Sequence, residues 1–295
     1  LIATICGFGA ILLWSALALM TAASGAIPPF QLAAMTFAVG GALGALSWIV
    51  RPGAARSLVQ PWPVWLLGVG GLFGYHAIYF AALRLAPPAE AGLIAYLWPL
   101  LIVLFSALLP GERLRAVHVI GALLGLAGVL VLVTGRTGGL SLDARYTPGY
   151  ALAFACAFVW SGYSVLSRRF GAVPTDAVAG FCIVTSVLAA ICHALFETTV
   201  WPVGASQWLA VVGLGLGPVG AAFYLWDHGV KRGDIKLLGV ASYAAPVLST
   251  MILVAAGYAE ATKSLGVATL LIVAGALLAS SEALIRRRVA AQAVK

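Results

Sequence analysis

Three tryptophans, Trp14, Trp98 and Trp160, stand inside long apolar stretches with no charged residue within a helical turn of them. An indole N–H taken out of water needs an acceptor, and the indole face attracts flat rings and cations. Tyr75, His76 and Tyr79 share another apolar stretch. There the Tyr75/Tyr79 and His76/Tyr79 spacings of i,i+4 and i,i+3 share a face if the stretch is helical. Tyr96 precedes Trp98, Tyr163 follows Trp160 by about a turn, and Tyr224 lies in a glycine-rich stretch. Together these side chains offer stacking for a planar ring, cation–π contact for an ammonium, and a few hydroxyls. They offer no cation for a carboxylate. His76, or N–H groups freed where a helix is interrupted, are the candidates for that task.

The ionisable residues are few. Glu90, Glu112, Glu260 and Glu282 fall at or beyond the ends of apolar stretches. Asp227 and His228, close to the end of one, are a candidate gate or proton relay, or equally a solvated loop anchor. His118 and His193 read as packing or near-interface residues. Cys6, Cys156, Cys182 and Cys192 lie in apolar surroundings with neither CxxC nor metal-ligand spacing, and read as small apolar filler. No catalytic residue, metal or cofactor is expected. Gly215-x-Gly217-x-x-Gly220 matches a dinucleotide fingerprint, but it sits in an apolar stretch with no acid about 20 residues on. Gly121-x-x-x-Gly125 reads as close helix packing within the chain.

The elements that must position these residues follow from composition. Of 295 residues 62% are hydrophobic and 9% charged, with mean hydropathy +1.05. Soluble domains carry about 25% charged residues, so a soluble enzyme, a coiled coil and a disordered chain are excluded. At ~20 apolar residues per crossing, the chain divides into ten spans near 2–23, 28–50, 62–85, 88–109, 114–134, 148–168, 176–198, 206–229, 236–257 and 264–285. Each must be a helix, because lipid cannot satisfy an open strand's backbone. Trp48, Trp62, Trp65, Trp201, Trp208 and Trp226 lie near span ends and read as interfacial belt. The fold class is an all-α polytopic membrane protein.

Alternating spans place 13 of the 17 Lys and Arg on one side: Arg51, Arg56, Arg113, Arg115, Arg168, Arg169, Lys231, Arg232, Lys236, Arg286, Arg287, Arg288 and Lys295. Arg84, Arg136, Arg145 and Lys263 fall on the other. An excess of basic residues marks cytoplasmic loops, which predicts both termini inside. The charge of +8 is scattered singly, so no nucleic-acid partner is expected. No signal peptide is legible. The chain opens inside an apolar run without Met, and the natural N-terminus is expected to extend further.

At an offset near 146 the sequence matches itself. Residues 7–15 lie over 153–161, bringing Trp14 onto Trp160; Pro28 lies over Pro174, Trp65-Leu66 over Trp208-Leu209, and 95–99 over 242–246. Five spans per half, an odd number, make this an inverted repeat: residues 1–136 and 145–288, with a basic tail at 289–295. Such halves can exchange conformations around a midplane site built on interrupted helices. Pro99 and Pro246 are the matching breaks, predicted to free the carbonyls of Ala95 and Ser242. Glycine-rich spans 3 and 8 are a second matching pair. A lone glycine is explained by packing; the mid-span tryptophans and the paired prolines call for a site.

Ten spans, the five-plus-five repeat, and Tyr-Leu-Trp-Pro…Gly-Glu at 96–112 echoed by Tyr-Ala-Ala-Pro…Ala-Glu at 243–260 resemble the drug/metabolite transporter superfamily, in its EamA-type branch. Trp14, His76, Tyr79, Tyr96, Trp98 and Trp160 carry a further similarity to its aromatic-amino-acid exporters of bacterial inner membranes. The resemblance implies a basket around a central cavity, alternating access, and aromatic or hydrophobic amino acids as the small-molecule substrate. Trp14, His76, Tyr79, Tyr96, Trp98, Trp160, Tyr163 and Tyr224 are the expected cavity residues, in a monomer surrounded by lipid. No carboxylate stands mid-span in span 1, where the small multidrug branch keeps one, which argues against proton-coupled cation efflux. The rivals are a drug or nucleotide-sugar carrier, and an intramembrane lipid-modifying enzyme. The former would need cavity cations, and the latter more partners than Asp227 and His228.

Overall fold

The computed structural model describes residues 1–139 and 142–292, without the side chains of Arg136 and of residues 282–292. Among the described residues ten helices are long and apolar enough to cross a membrane. They are α1 (Ile2–Ala23), α2 (Pro29–Val50), α3 (Trp62–Leu85), α4 (Pro88–Leu108) and α5 (Ala116–Gly135), then α6 (Ala144–Arg169), α7 (Thr175–Phe196), α8 (Ala205–Arg232), α9 (Ile235–Ala255) and α10 (Lys263–Ser281). No strand occurs among the described residues. Prolines open α2, α3 and α4, where a missing N–H costs nothing and the fixed φ suits the first turn. Beyond α10 the helical backbone runs on to Gln292, into the stretch expected as a tail. The side chains of Glu282, Arg286, Arg287 and Arg288, like all of Lys295, lie outside the described residues.

Among the described residues five of these helices are interrupted, α1 by a turn at Ala16. A π-helical turn occupies Gly70–Gly74 in α3 and another Gly217–Ala221 in α8, both in glycine-rich sequence. Turns at Tyr96–Leu97 and Ser242–Tyr243 divide α4 and α9. Pro99 opens the second half of α4, and Pro246 lies near the start of the second half of α9. The carbonyl of Ser242, expected to be free, instead accepts the Ala245 N–H at 3.2 Å, because the turn tightens where Pro246 cannot donate. The freed group is a donor: Leu100 N–H bonds to the Tyr243 hydroxyl at 3.1 Å, so the break in α4 is closed by the residue at the break in α9.

The main helix pairs are α2 with α7, α5 with α10, α1 with α8, and α3 with α6. Small residues let the backbones close up. A Cβ on Gly121 would stand 2.7 Å from the Gly275 carbonyl, and one on Gly229 2.8 Å from the Gly7 Cα. Both glycines of the 121–125 motif thus pack inside the chain, Gly125 against Tyr243.

The two ends of the bundle differ. At the end rich in basic residues, Glu112 bonds Arg168 and Lys236, both at 2.9 Å, joining the α4–α5 connection to α6 and α9. Arg168 also donates to the carbonyls of Val230 and Gly233, and Arg51 pairs with Asp176 at 2.9 Å. At the opposite end the buried Glu197 carboxylate accepts Phe30 and Gln31 N–H at 3.0 Å, capping the positive end of α2, and pairs with His193 at 3.0 Å. Tyr150 donates to Glu90 there.

Candidate functional site

A cavity of about 460 Å³ lies between the halves of the bundle. It runs from Trp98, Trp160 and Phe223 at its floor to Thr21, Ile27, Pro29 and Leu83, which lie toward the end opposite the basic one. The volume is that of a small-molecule site. No charged side chain lines it among the described residues; Tyr75, His76, Tyr79 and Tyr96, with Thr21 and Thr36, bring polar atoms to its wall.

The floor is a cluster of aromatic rings. Trp14 stands edge-on to Trp160 at 5.7 Å and to Trp98 at 6.4 Å, and Trp160 contacts Tyr75 at 5.4 Å and Phe223 at 5.8 Å. Phe37 stacks on Phe223 at 5.5 Å, and Tyr75 on Tyr79 at 5.9 Å. Edge-to-face and offset contacts of this kind fix ring orientation. The π turns fix two more groups. Trp14 Nε1–H donates to the Pro218 carbonyl at 3.1 Å, in the π turn of α8. His76 Nδ1 lies 2.7 Å from the Leu72 carbonyl, in the π turn of α3. A carbonyl only accepts, so Nδ1 carries the proton, and in the neutral ring Nε2 is the free acceptor. The bulges that interrupt the helices therefore aim side chains of the site.

Of the residues singled out by sequence, Trp14, His76, Tyr79, Tyr96, Trp98 and Trp160 are brought together around the cavity. Two are not. Tyr224 donates to the Gly40 carbonyl at 3.0 Å and ties α8 to α2. Tyr163 packs beneath Trp160 at 5.3 Å, on the side of the basic end. Asp227 and His228 also part. Asp227 is buried against Lys231 at 2.8 Å, whereas His228 lies beside the exposed Arg232. Trp226, assigned to the belt, is fully buried. It stacks on Trp160 at 6.3 Å and donates to Ser164 at 3.0 Å. The helix continues to Arg232, which puts Trp226 well inside it.

Sequence reasoning missed Phe37, Phe80, Phe223 and Pro218 as wall residues. Phenylalanine in an apolar helix has no polar atom to mark it, and Pro218 contributes through its carbonyl.

Ten apolar helices, five of them interrupted, around an aromatic-walled cavity with no charged residue among those described, define a multi-pass membrane protein of the small-molecule transporter class. The profile of the EamA-like transporter family matches the chain twice, over residues 1–134 and 147–281, and the chain belongs to that family, within the drug/metabolite transporter superfamily. It is a secondary transporter and not an enzyme. The chain is 63% identical over 278 residues to a protein of Ancylobacter novellus named aromatic amino acid exporter YddG, covering 94% of this chain and 96% of that one. Proteins of the same name from Salmonella typhimurium and Escherichia coli are 28% and 27% identical, over 84% and 94% of this chain and 86% and 96% of theirs. A solved crystal structure 62% identical in sequence superimposes with a TM-score of 0.92, covering 97% of this chain and 98% of that one.

Proposed function

We propose that this protein exports aromatic and hydrophobic amino acids across a bacterial inner membrane by alternating access, as a monomer with both termini in the cytoplasm. The observation that carries the reading is the cavity: large enough for an amino acid, walled by aromatic rings, and lined by no charged side chain among the described residues. Identity of 63% to a relative named as an aromatic amino acid exporter supports the substrate class. The ring lies among Trp14, Trp98, Trp160 and Phe223. The ammonium takes the His76 Nε2 lone pair and aromatic faces, and the hydroxyls of Tyr79 and Tyr96 donate to the carboxylate. Nucleotide sugars are disfavoured, since none of the described wall residues is cationic.

The inverted repeat is supported by the helix pairing. Advancing each helix by one half turns the α1–α8 pair into α6–α3, and turns α2–α7 and α5–α10 into themselves. The repeats then run over residues 1–136 and 145–288. With the basic end cytoplasmic, the cavity faces outward and the Glu112 network closes the inner side. Export requires that network to open, load substrate, and re-form.

The test is flux of labelled tryptophan, phenylalanine and alanine into liposomes carrying the purified protein, with and without a pH gradient. Saturable tryptophan and phenylalanine flux above that of alanine is expected. Folded protein that moves none of the three refutes the substrate assignment.

A further inference from the structure

One layer beneath the Trp160 floor, toward the basic end, lies a second chamber of about 10 Å³, lined in part by Tyr163, Ser167, Asp227 and Lys231. That is room for about one water. Its polar groups are out of proportion to its size. Asp227 and Lys231 are buried, their side chains 2% and 4% exposed, and pair at 2.8 Å. Asp227 also accepts from the Thr175 hydroxyl at 2.8 Å, and Lys231 also donates to the Val173 carbonyl at 3.1 Å. The Tyr163 hydroxyl is buried beside Ser167 and makes no well-formed hydrogen bond among the described residues.

A buried ion pair is costly to keep, and ionisable groups at such depth mark function. Asp227 and Lys231 are four residues apart on the same helix, and their bonds to Thr175 and Val173 hold the α6–α7 connection against α8. Neutral hydrogen-bonding groups would make that contact at lower cost, so closing the basic end does not by itself account for a buried charge pair. Closure is carried by Glu112, which bridges three elements. What the pair does is hold one negative and one positive group side by side, next to a spare hydroxyl and beneath a stack of rings.

We propose that Asp227, Lys231 and Tyr163 form the loading station for the zwitterionic head of the substrate at the cytoplasmic side. The inference rests on the amino-acid export reading above. When the basic end opens, the connection bearing Val173 and Thr175 withdraws from α8. The substrate carboxylate replaces the Val173 carbonyl on Lys231, its ammonium replaces the Thr175 hydroxyl on Asp227, and Tyr163 donates to the carboxylate. The side-chain ring meets Tyr163 and Trp160, which stand 5.3 Å apart. Re-formation of the α8 contacts expels the head toward the outer cavity, where no charged side chain holds it and release is easy. Two stations of unequal charge thus order the hand-over, while the substrate gradient sets the net direction.

The test uses proteoliposomes with labelled tryptophan supplied at the basic face, and tryptamine or indole-3-propionate as competitor. In the wild type both analogues, each lacking one head charge, should compete at least tenfold less well than unlabelled tryptophan. Lys231→Met should abolish the advantage of tryptophan over tryptamine, and Asp227→Asn its advantage over indole-3-propionate. Each single variant leaves a buried charge unpaired, so Asp227→Asn/Lys231→Met, which removes both, carries the test if the single variants do not fold. It should lose both discriminations while staying folded by size-exclusion chromatography. Discrimination retained in the folded double variant, whatever its overall rate, makes the pair structural and overturns the proposal. Absence of saturable tryptophan flux in the wild type overturns the export reading and this inference together.

Discussion

Substitution of Glu112 by Gln should open the basic end. Each carboxylate oxygen of Glu112 meets one cation, Arg168 and Lys236, at 2.9 Å, and the three side chains are 19%, 24% and 10% exposed. Gln keeps one acceptor oxygen and turns an N–H toward the other cation. A hydrogen bond to a charged group contributes about 1.5–3 kcal/mol, so the closed state should lose about 2–3 kcal/mol, which is about 30- to 140-fold in the closed-to-open ratio. A protein closed about 99 parts in 100 would then sit between about 3:1 and 0.7:1. Ser167, buried in the chamber beneath the floor, provides the reporter. In a Ser167→Cys variant whose four native, unpaired cysteines are replaced, labelling by a membrane-impermeant thiol reagent at the basic face reads the open population. Labelling should accelerate by one to two orders of magnitude. Arg51→Ala is the control: Arg51 is 56% exposed in its pair with Asp176, and such a pair contributes about 0–1 kcal/mol. If Glu112→Gln labels no faster than Arg51→Ala, the Glu112 network does not hold the basic end shut.

Three further outcomes are expected. Trp160→Ala removes a ring that contacts Trp14, Tyr75, Trp98 and Phe223; the loss should be about 1–2 kcal/mol of tryptophan binding, roughly tenfold in half-saturation, with the protein still folded. Unchanged half-saturation would place the substrate elsewhere. Tyr243→Phe strips the acceptor from the Leu100 N–H and should destabilise by about 1–3 kcal/mol, lowering the thermal midpoint in detergent; an unaltered midpoint would mean another acceptor serves the break. Gly121→Val forces a Cβ toward the Gly275 carbonyl, 2.7 Å away. It should cost about 1–3 kcal/mol through separation of α5 and α10, and a variant as heat-stable as the wild type would contradict that close approach.

Much of this protein is written locally. Lipid accepts no unpaired backbone polar group, so each apolar run of sufficient length had to be a helix, and the ten spans agree with those read from the sequence to within a few residues at most ends. The basic bias is likewise a property of loops, legible without a fold. The residue types of the wall were legible because Trp, Tyr and His are conspicuous in hydrocarbon. What the sequence could not decide is which way each side chain points. A helix apolar all round carries no stripe to set its rotation. Only packing turns Phe37 and Phe223 into the cavity, Tyr224 onto Gly40, and Tyr163 beneath the floor. The same limit hid Trp226, whose depth depends on where α8 ends. It hid the closure too: Glu112, Arg168 and Lys236 stand 56 or more residues apart and meet only when α6 and α9 are packed against the α4–α5 connection. Composition determined a bundle of helices with aromatic interiors; long-range packing decided which rings make a site and which end is shut.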